Sequence, residues 1–445
     1  MEQEQQFSTL VYEYLLNRIR FGYYTYGDGF PSTDTFCREF SVSDHTMWTA
    51  LRRLRAEGYL NMRNGRTTRV IFQQSDQERR SFIYEYFSKR WDAYTDLYKA
   101  TELIYVPLLS EGFRRMRAED LSFLFRLAER SGADDIIRFY CYTLQKLENP
   151  LAMNLFWETS LFLGFPFARP ELRPIHFDAA AGRQRLKSLL SYVETKDWSA
   201  LRERLVRDQR NDIQQISRDL GPHLRQVSEE EKLPFAWRIY RERPQLCYDL
   251  ATRLLHEIYL GEYCGTDYLP SYEKMAEKYG VSVSTMRRTV GMLNQIGAVR
   301  SVNGKGTRVF TIGERCDPPD FTSPVVRRNL SFFVQSFELL IYTCEDVTCN
   351  FLAALQHDKR KALIAQLEEN QLTGRCELTL WHYLLCIAKN SRIQGIREIY
   401  GTIYGLFLWG YPLKASRDET PALDRAAWTL TESMIQDLKE GGVKE

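Results

Sequence analysis

The chain has 445 residues, 44% hydrophobic and 27% charged, with 60 Lys and Arg against 58 Asp and Glu for a formal charge of +2. That length predicts two to four domains at roughly 150 residues each, and the near-neutral balance excludes a globally basic protein, so any nucleic-acid footprint has to be local. The first six residues are polar, and no run reaches the about 18 apolar residues of a membrane span, which predicts no signal peptide, no membrane partner and a cytoplasmic protein. Nine cysteines are scattered without a Cys-x-x-Cys pair. Free thiols in a reducing compartment are expected.

The chain repeats itself at a distance of 239 residues. Gly22 matches Gly261, Pro31-Ser32 matches Pro270-Ser271, and Val42-Ser43 matches Val281-Ser282. Thr46-Met47 matches Thr285-Met286, Gly58 matches Gly297, Asn64-Gly65 matches Asn303-Gly304, and Thr68-Arg69-Val70 matches Thr307-Arg308-Val309. A fixed period of domain size marks a duplication.

In chain order, Val11, Leu15 and Ile19 form one apolar helical face. A second helix after Pro31-Ser32 carries Phe36 and Phe40, and a third after Ser43 carries Met47, Leu51 and Leu54. Residues 74–225 are helical by period and rich in aromatics, among them Phe82, Tyr84, Tyr86, Phe87, Trp91, Tyr94 and Tyr98. Rings at that spacing are expected in a bundle core; a ligand pocket between the helices is the alternative. A charged helix ends this stretch, broken at Asp197-Trp198, and the Pro-bearing, charged segment 226–245 reads as a linker. The second copy then opens with Leu250, Leu254, Leu255 and Ile258 on one face, which Gly261 is expected to stop. Ser271 should cap the next helix and Ser282 the third, with Met286, Val290, Leu293 and Ile296 inward. Two β-prone runs, 298–302 and 307–312, are joined by Asn303-Gly304-Lys305-Gly306, a hairpin signal. Residues 314–445 form a shorter helical segment in which Arg327-Arg328 answers Arg79-Arg80 and 406–412 answers 161–166; nothing matches the helix after Asp197.

The predicted fold is therefore mainly α: two winged helix-turn-helix domains, 7–73 and 246–313, each followed by an all-helical domain, 74–225 and 314–445. Local charge fits a DNA face. Residues 250–310 hold eight Lys and Arg against five Asp and Glu, and residues 11–72 hold nine against six, an excess of three each.

Both copies resemble the DNA-binding domain of GntR-family transcription regulators. The resemblance rests on Leu269-Pro270-Ser271, Gly280-Val281-Ser282, Thr285-Met286-Arg287 and Gly304-Lys305-Gly306-Thr307. It implies that the third helix enters the major groove and the wing touches flanking backbone. In the second copy it nominates Ser271, Ser282, Ser284, Thr285, Arg287, Arg288, Asn303, Lys305, Thr307 and Arg308. In the first it nominates Ser32, Ser43, His45, Thr46, Arg52, Arg66 and Arg69. Family members place arginines at three positions, which read Asp34, Asp44 and Trp48 in the first copy and Glu273, Val283 and Arg287 in the second. Acids near phosphates weaken binding, so the second copy is expected to be the main reader. The first is left as a backbone contact, a divergent half-site or a structural partner.

The helical segments resemble the FadR-type effector domain through 147–151, 388–390 and 194–200. Many members of that class bind a metal with an Asp and three His. Here the first His position reads Tyr140 in one half, and His382 in the other lacks the preceding Asp, so no metal or other cofactor is expected. No Gly-rich phosphate loop, nucleophile elbow or paired catalytic carboxylates appear, and no enzyme is expected. The reading is a sequence-specific regulator that binds double-stranded DNA under a small-molecule effector, its two halves forming a pseudo-dimer; a homodimer is the variant. A replication initiator with two winged helices and a scaffold that binds no DNA are the alternatives.

Overall fold

The structure, a computed structural model, describes residues 2–40, 42–62, 67–130, 133–164, 179–239, 245–310, 318–410 and 421–440. It divides into two compact units, Met1–Arg241 with Ile393–Gly395 and Glu242–Arg392 with Ile396–Glu445. Among the described residues it is mainly helical, with two small sheets.

In the first unit the apolar spacing produces α1 (Glu2–Arg20), α2 (Thr33–Phe40) and α3 (Asp44–Ala56). Val11, Leu15, Ile19, Phe36, Phe40, Met47, Leu51 and Leu54 are all buried between them. Ser43 is extended and its hydroxyl accepts the Thr46 amide, which starts α3. A short wing follows: β1 (Leu60–Asn61) pairs antiparallel with β2 (Arg69–Val70), Leu60 opposite Val70. The second unit repeats this with α11 (Gln245–Tyr259), α12 (Tyr272–Tyr279), α13 (Val283–Gln295), β3 (Val299–Val302) and β4 (Gly306–Val309).

The duplication holds at the level of single backbone hydrogen bonds. Phe30 N–H donates to Thr68 C=O at 2.7 Å, and Leu269 N–H donates to Thr307 C=O at 2.9 Å. Val70 N–H to Asp28 C=O at 3.1 Å is repeated as Val309 N–H to Asp267 C=O at 2.9 Å. Tyr59 N–H to Leu54 C=O at 2.9 Å becomes Ala298 N–H to Leu293 C=O at 3.0 Å. Each pair is 239 residues apart, so the sequence register is also the structural one.

Two local expectations are corrected. Gly22 closes α1 in the left-handed region at φ 81°, but its match Gly261 does not adopt positive φ. α11 ends at Tyr259, and Gly261 is needed for space: a Cβ there would lie 2.8 Å from the Glu257 Cα. In the wing, Gly306 belongs to β4 opposite Val302, which leaves a three-residue turn. Lys305 N–H closes it on Val302 C=O at 3.0 Å. Gly304 alone of the Asn-Gly pair takes positive φ, 72°, as a type II turn requires rather than the type I′ of the shortest hairpins.

The helical segments correspond in part. α4 (Asp76–Ser88), α5 (Trp91–Arg114), α6 (Ala118–Arg130), α7 (Ala133–Gln145), α8 (Pro150–Leu163), α9 (Ala179–Glu194) and α10 (Trp198–Leu220) belong to the first unit. The second has α14 (Pro324–Ala354), α15 (His357–Leu372), α16 (Thr379–Asn390), α17 (Gln394–Leu408) and α18 (Pro421–Glu440). α14 runs unbroken where the first unit has α4 and α5. α9 packs on α6 as α18 packs on α15. α10 packs on α5, but no counterpart follows α18 among the described residues. On α14, Val334, Phe337 and Ile341 remain 55%, 44% and 56% exposed.

Each winged helix is welded to its own helical segment. In the first unit Trp157 of α8 meets Tyr14 at 5.2 Å and Phe40 at 4.8 Å between ring centroids, and Phe21 meets Phe82 and Tyr86 at 5.5 and 5.1 Å. Glu39 of α2 joins buried Arg18 at 3.0 Å and Arg138 of α7 at 3.4 Å. In the second unit Trp409 Nε1 donates to Thr252 Oγ1 at 3.0 Å, and His256 Nδ1 lies 2.6 Å from the Tyr404 hydroxyl. The segment after α10 is no loose tether through residue 239. Leu233 N–H donates to Lys89 C=O at 2.7 Å, Trp237 Nε1 donates to Asn154 Oδ1 at 2.8 Å, and the Phe235 ring lies 5.5 Å from Phe162.

Among the described residues no helix is long and apolar enough to cross a membrane, and no group of three His, Cys, Asp or Glu could hold a metal ion. His382 Nδ1 instead faces Asn370 Nδ2 at 3.0 Å.

Candidate nucleic-acid interface

In the second unit Ser282 sets the position of α13. Its hydroxyl accepts the Thr285 amide at 3.1 Å and lies 2.9 Å from Ser284 Oγ and 2.8 Å from Thr285 Oγ1. This cap satisfies one of the open amides of the first turn. The buried stripe Met286, Val290 and Leu293 then fixes the helix rotation. What remains outward is Ser284, Arg287 and Arg288, all exposed. Arg287 also lies over the Tyr272 ring, 5.9 Å from its centroid. Nearby Glu273 has its carboxyl held below the usual range by its own backbone amide, by the Ser271 hydroxyl and by the charge of Arg287. Glu273 therefore acts as a counter-charge to Arg287.

The wing adds cations beside the helix. Asn303, Lys305 and Arg308 are exposed. Arg308 stands directly opposite Arg300 in the β3–β4 register, and both guanidinium groups flank the Phe310 ring, at 5.4 and 5.7 Å. Sequence reading did not nominate Arg300. The strand register finds it, because counting back from the turn places residue 300 against 308. Tyr268 was also missed; it bridges to Arg308 and is 38% exposed, on the strand fragment that precedes α12.

Two nominated threonines are buried rather than presented. Thr307 is 5% exposed, with its hydroxyl 3.4 Å from that of Tyr272. Thr46 is 1% exposed, with its hydroxyl 3.1 Å from Ser43 Oγ. Each serves the internal structure of its domain: one on the inner face of the wing, the other in the cap of α3.

The first unit presents a different face on the same frame. Ser32, Asp34, Asp44, His45, Trp48, Arg52 and Arg69 are exposed and Ser43 half-buried at the cap. Trp48, on the position of Arg287, is 43% exposed. Arg69 Nη1 donates to Gly27 C=O at 2.8 Å, which holds it along the wing. Arg53 is drawn back from the face, ion-paired with Glu57 at 3.0 Å and lying over the Tyr12 ring at 3.7 Å. Arg66 lies outside the described residues.

Comparison with known proteins fits this geometry. The family described as "Bacterial regulatory proteins, gntR family" matches residues 7–70 and, separately, 248–309. Among solved structures the chain is similar to McbR/YncC of E. coli, at 18% identity and a TM-score of 0.24, covering 48% of this chain and 98% of that one. It is similar also to a GntR of Streptococcus agalactiae, at 14% identity and a TM-score of 0.22, covering 47% and 98%. No curated protein matches the chain. The same family is thus matched twice, at the two stretches that fold as three helices and a wing: the chain carries a tandem pair of DNA-binding regulatory domains of the GntR family.

Proposed function

We propose that the protein is a sequence-specific regulator of transcription that binds double-stranded DNA. In this reading the second winged helix is the principal reader, the two halves act as a pseudo-dimer on one operator, and a small molecule sets the affinity. The observation that carries the reading is the joint exposure of Arg287 and Arg288 at the start of α13 beside Lys305, Arg300 and Arg308 on the wing. A helix entering the major groove presents its first turns to base edges. An arginine there pairs in two-pronged fashion with guanine O6 and N7. The wing cations lie where flanking phosphates pass and supply salt-dependent affinity.

Effector control is supported by a cavity of about 410 Å³ in the first helical segment, within the usual size range of ligand sites. Its lining combines apolar Val106, Leu109 and Phe156 with polar Tyr98, Tyr140 and Arg185. Arg185 pairs with Asp208 at 3.1 Å and Asp212 at 2.7 Å. Burial raises the Asp212 carboxyl above its usual range. The cavity wall includes Phe156, Thr159 and Ser160 of α8, and the same helix carries Trp157 against Tyr14 and Phe40 of the first reader. A ligand in the cavity is therefore one helix away from that reader. Two linked readers gain affinity from each other's binding, so loosening the first weakens the hold of the whole chain.

The test is selection of bound duplexes from a random library, followed by titration with the selected duplex. An enriched motif whose binding falls with Arg287→Ala supports the reading. No enrichment at low salt contradicts it and favours a scaffold role, to which the acidic and aromatic face of the first copy would then belong.

A further inference from the structure

The two readers share a frame but not a chemistry. α3 and α13 have the same serine cap, the same buried stripe and the same following hydrogen bonds. The residues that differ are the outward ones in the first two turns. Val283 and Arg287 of α13 correspond to Asp44 and Trp48 of α3. Asp44 and Trp48 are four residues apart, on one face, and both are exposed. The Asp44 carboxylate accepts a hydrogen bond from the Cys37 thiol of α2, 3.2 Å away. Trp48 leaves 43% of its surface open. Cations return only a turn later, at exposed Arg52. The face is thus an acceptor, then an apolar ring, then a charge for backbone.

Resting on the DNA-binding reading above, we propose that the first copy reads bases through Asp44 and Trp48, so that the operator is asymmetric by construction. A carboxylate in the major groove accepts a hydrogen bond from the cytosine N4 amino group, and an apolar group packs on the thymine methyl. The strand facing α3 carries cytosine at the Asp44 position and thymine at the Trp48 position, whereas the strand facing α13 carries guanine at the Arg287 position. Arg52 and Arg69 hold phosphates on the first half-site and set its register without reading sequence. Asp44 and Trp48 are specificity determinants, and a duplicated gene has used them to turn a symmetric recognition device into one that reads two different words in order.

The experiment is selection from a random duplex library with three forms of the full chain: wild type, Asp44→Val with Trp48→Arg, and Arg287→Ala. The swapped residues are exposed, so all forms should fold, which a melting curve checks. Wild type should yield two dissimilar half-sites. The double swap should replace the cytosine and thymine of one half-site with guanine-containing sequence and leave the other unchanged. It should weaken binding to the wild-type operator by at least about tenfold, as mismatched positions do. Arg287→Ala should lose the guanine of the other half-site only. A double swap that returns the wild-type motif at unchanged affinity overturns the proposal while leaving the second reader intact. That result would assign the Trp48 face to another macromolecule. Absence of any enriched motif from wild type overturns the DNA-binding reading, and this inference with it.

Discussion

At the residue scale, one side chain should dominate. Arg287→Ala is expected to weaken binding to the selected duplex by roughly 1–3 kcal/mol, the worth of a two-pronged guanine contact, in a fluorescence anisotropy titration. Loss of the same size on an unrelated duplex would make Arg287 a phosphate contact instead. Arg300→Ala and Lys305→Ala should each lower the slope of affinity against salt by about one ion; an unchanged slope would remove the wing from the interface. Stability should also depend on pH through His382. Burial pushes the His382 imidazole down to about 4, with the charges of Arg375 and His256 adding to it. The folded protein therefore holds it neutral, while the unfolded chain takes up a proton near pH 6.5. Its contribution is complete above about pH 6.5 and is lost as pH falls toward 4, on the order of 2 kcal/mol. Denaturant midpoints at pH 7 and 4.5 should separate for wild type and separate less for His382→Gln. The caps were legible as single residues because a serine before an apolar stripe has few other uses. Arg300 was not, because its importance depends on which residue stands across the strand, and the turn had to be counted before that could be known.

At the scale of elements, the weld between reader and bundle is the feature with most at stake. Trp157→Ala removes a side chain that is 1% exposed and touches both α1 and α2. It should cost about 3–5 kcal/mol by chemical denaturation. Val334→Ala, at a 55% exposed position of α14, should cost less than about 0.5 kcal/mol; similar costs for both would mean that this face is covered. The helices of both readers followed from apolar spacing, since a 3.6-residue period with a cap at one end allows little else. Wing geometry did not follow. Asn-Gly suits several hairpin turns, and only pairing of Gly306 with Val302 distinguishes a three-residue loop from a shorter one. The role of Gly261 was misread for a related reason. A glycine past a helix suggests a left-handed cap, whereas here it leaves room for Glu257.

At the scale of the whole molecule, duplication decides how the chain would be used. A symmetric dimer of single winged helices binds a near-palindrome, but two on one chain are free to diverge, and we propose that their recognition has diverged at Asp44 and Trp48 against Val283 and Arg287. The repeat itself was plain in the sequence, because glycines, prolines and caps fix backbone geometry and keep their spacing. The correspondence of the helical segments was only partly legible. α14 fuses what α4 and α5 keep apart, and bundle helices tolerate such changes as long as an apolar face survives. The central claim is that one chain places both readers on one operator. Its most direct test is the mass of the complex between the full chain and a single duplex carrying both selected half-sites, measured at saturation in solution. One chain per duplex, with affinity falling but stoichiometry unchanged when either half-site is scrambled, is the predicted result. Two chains per duplex, or no effect of scrambling the first half-site, would contradict it.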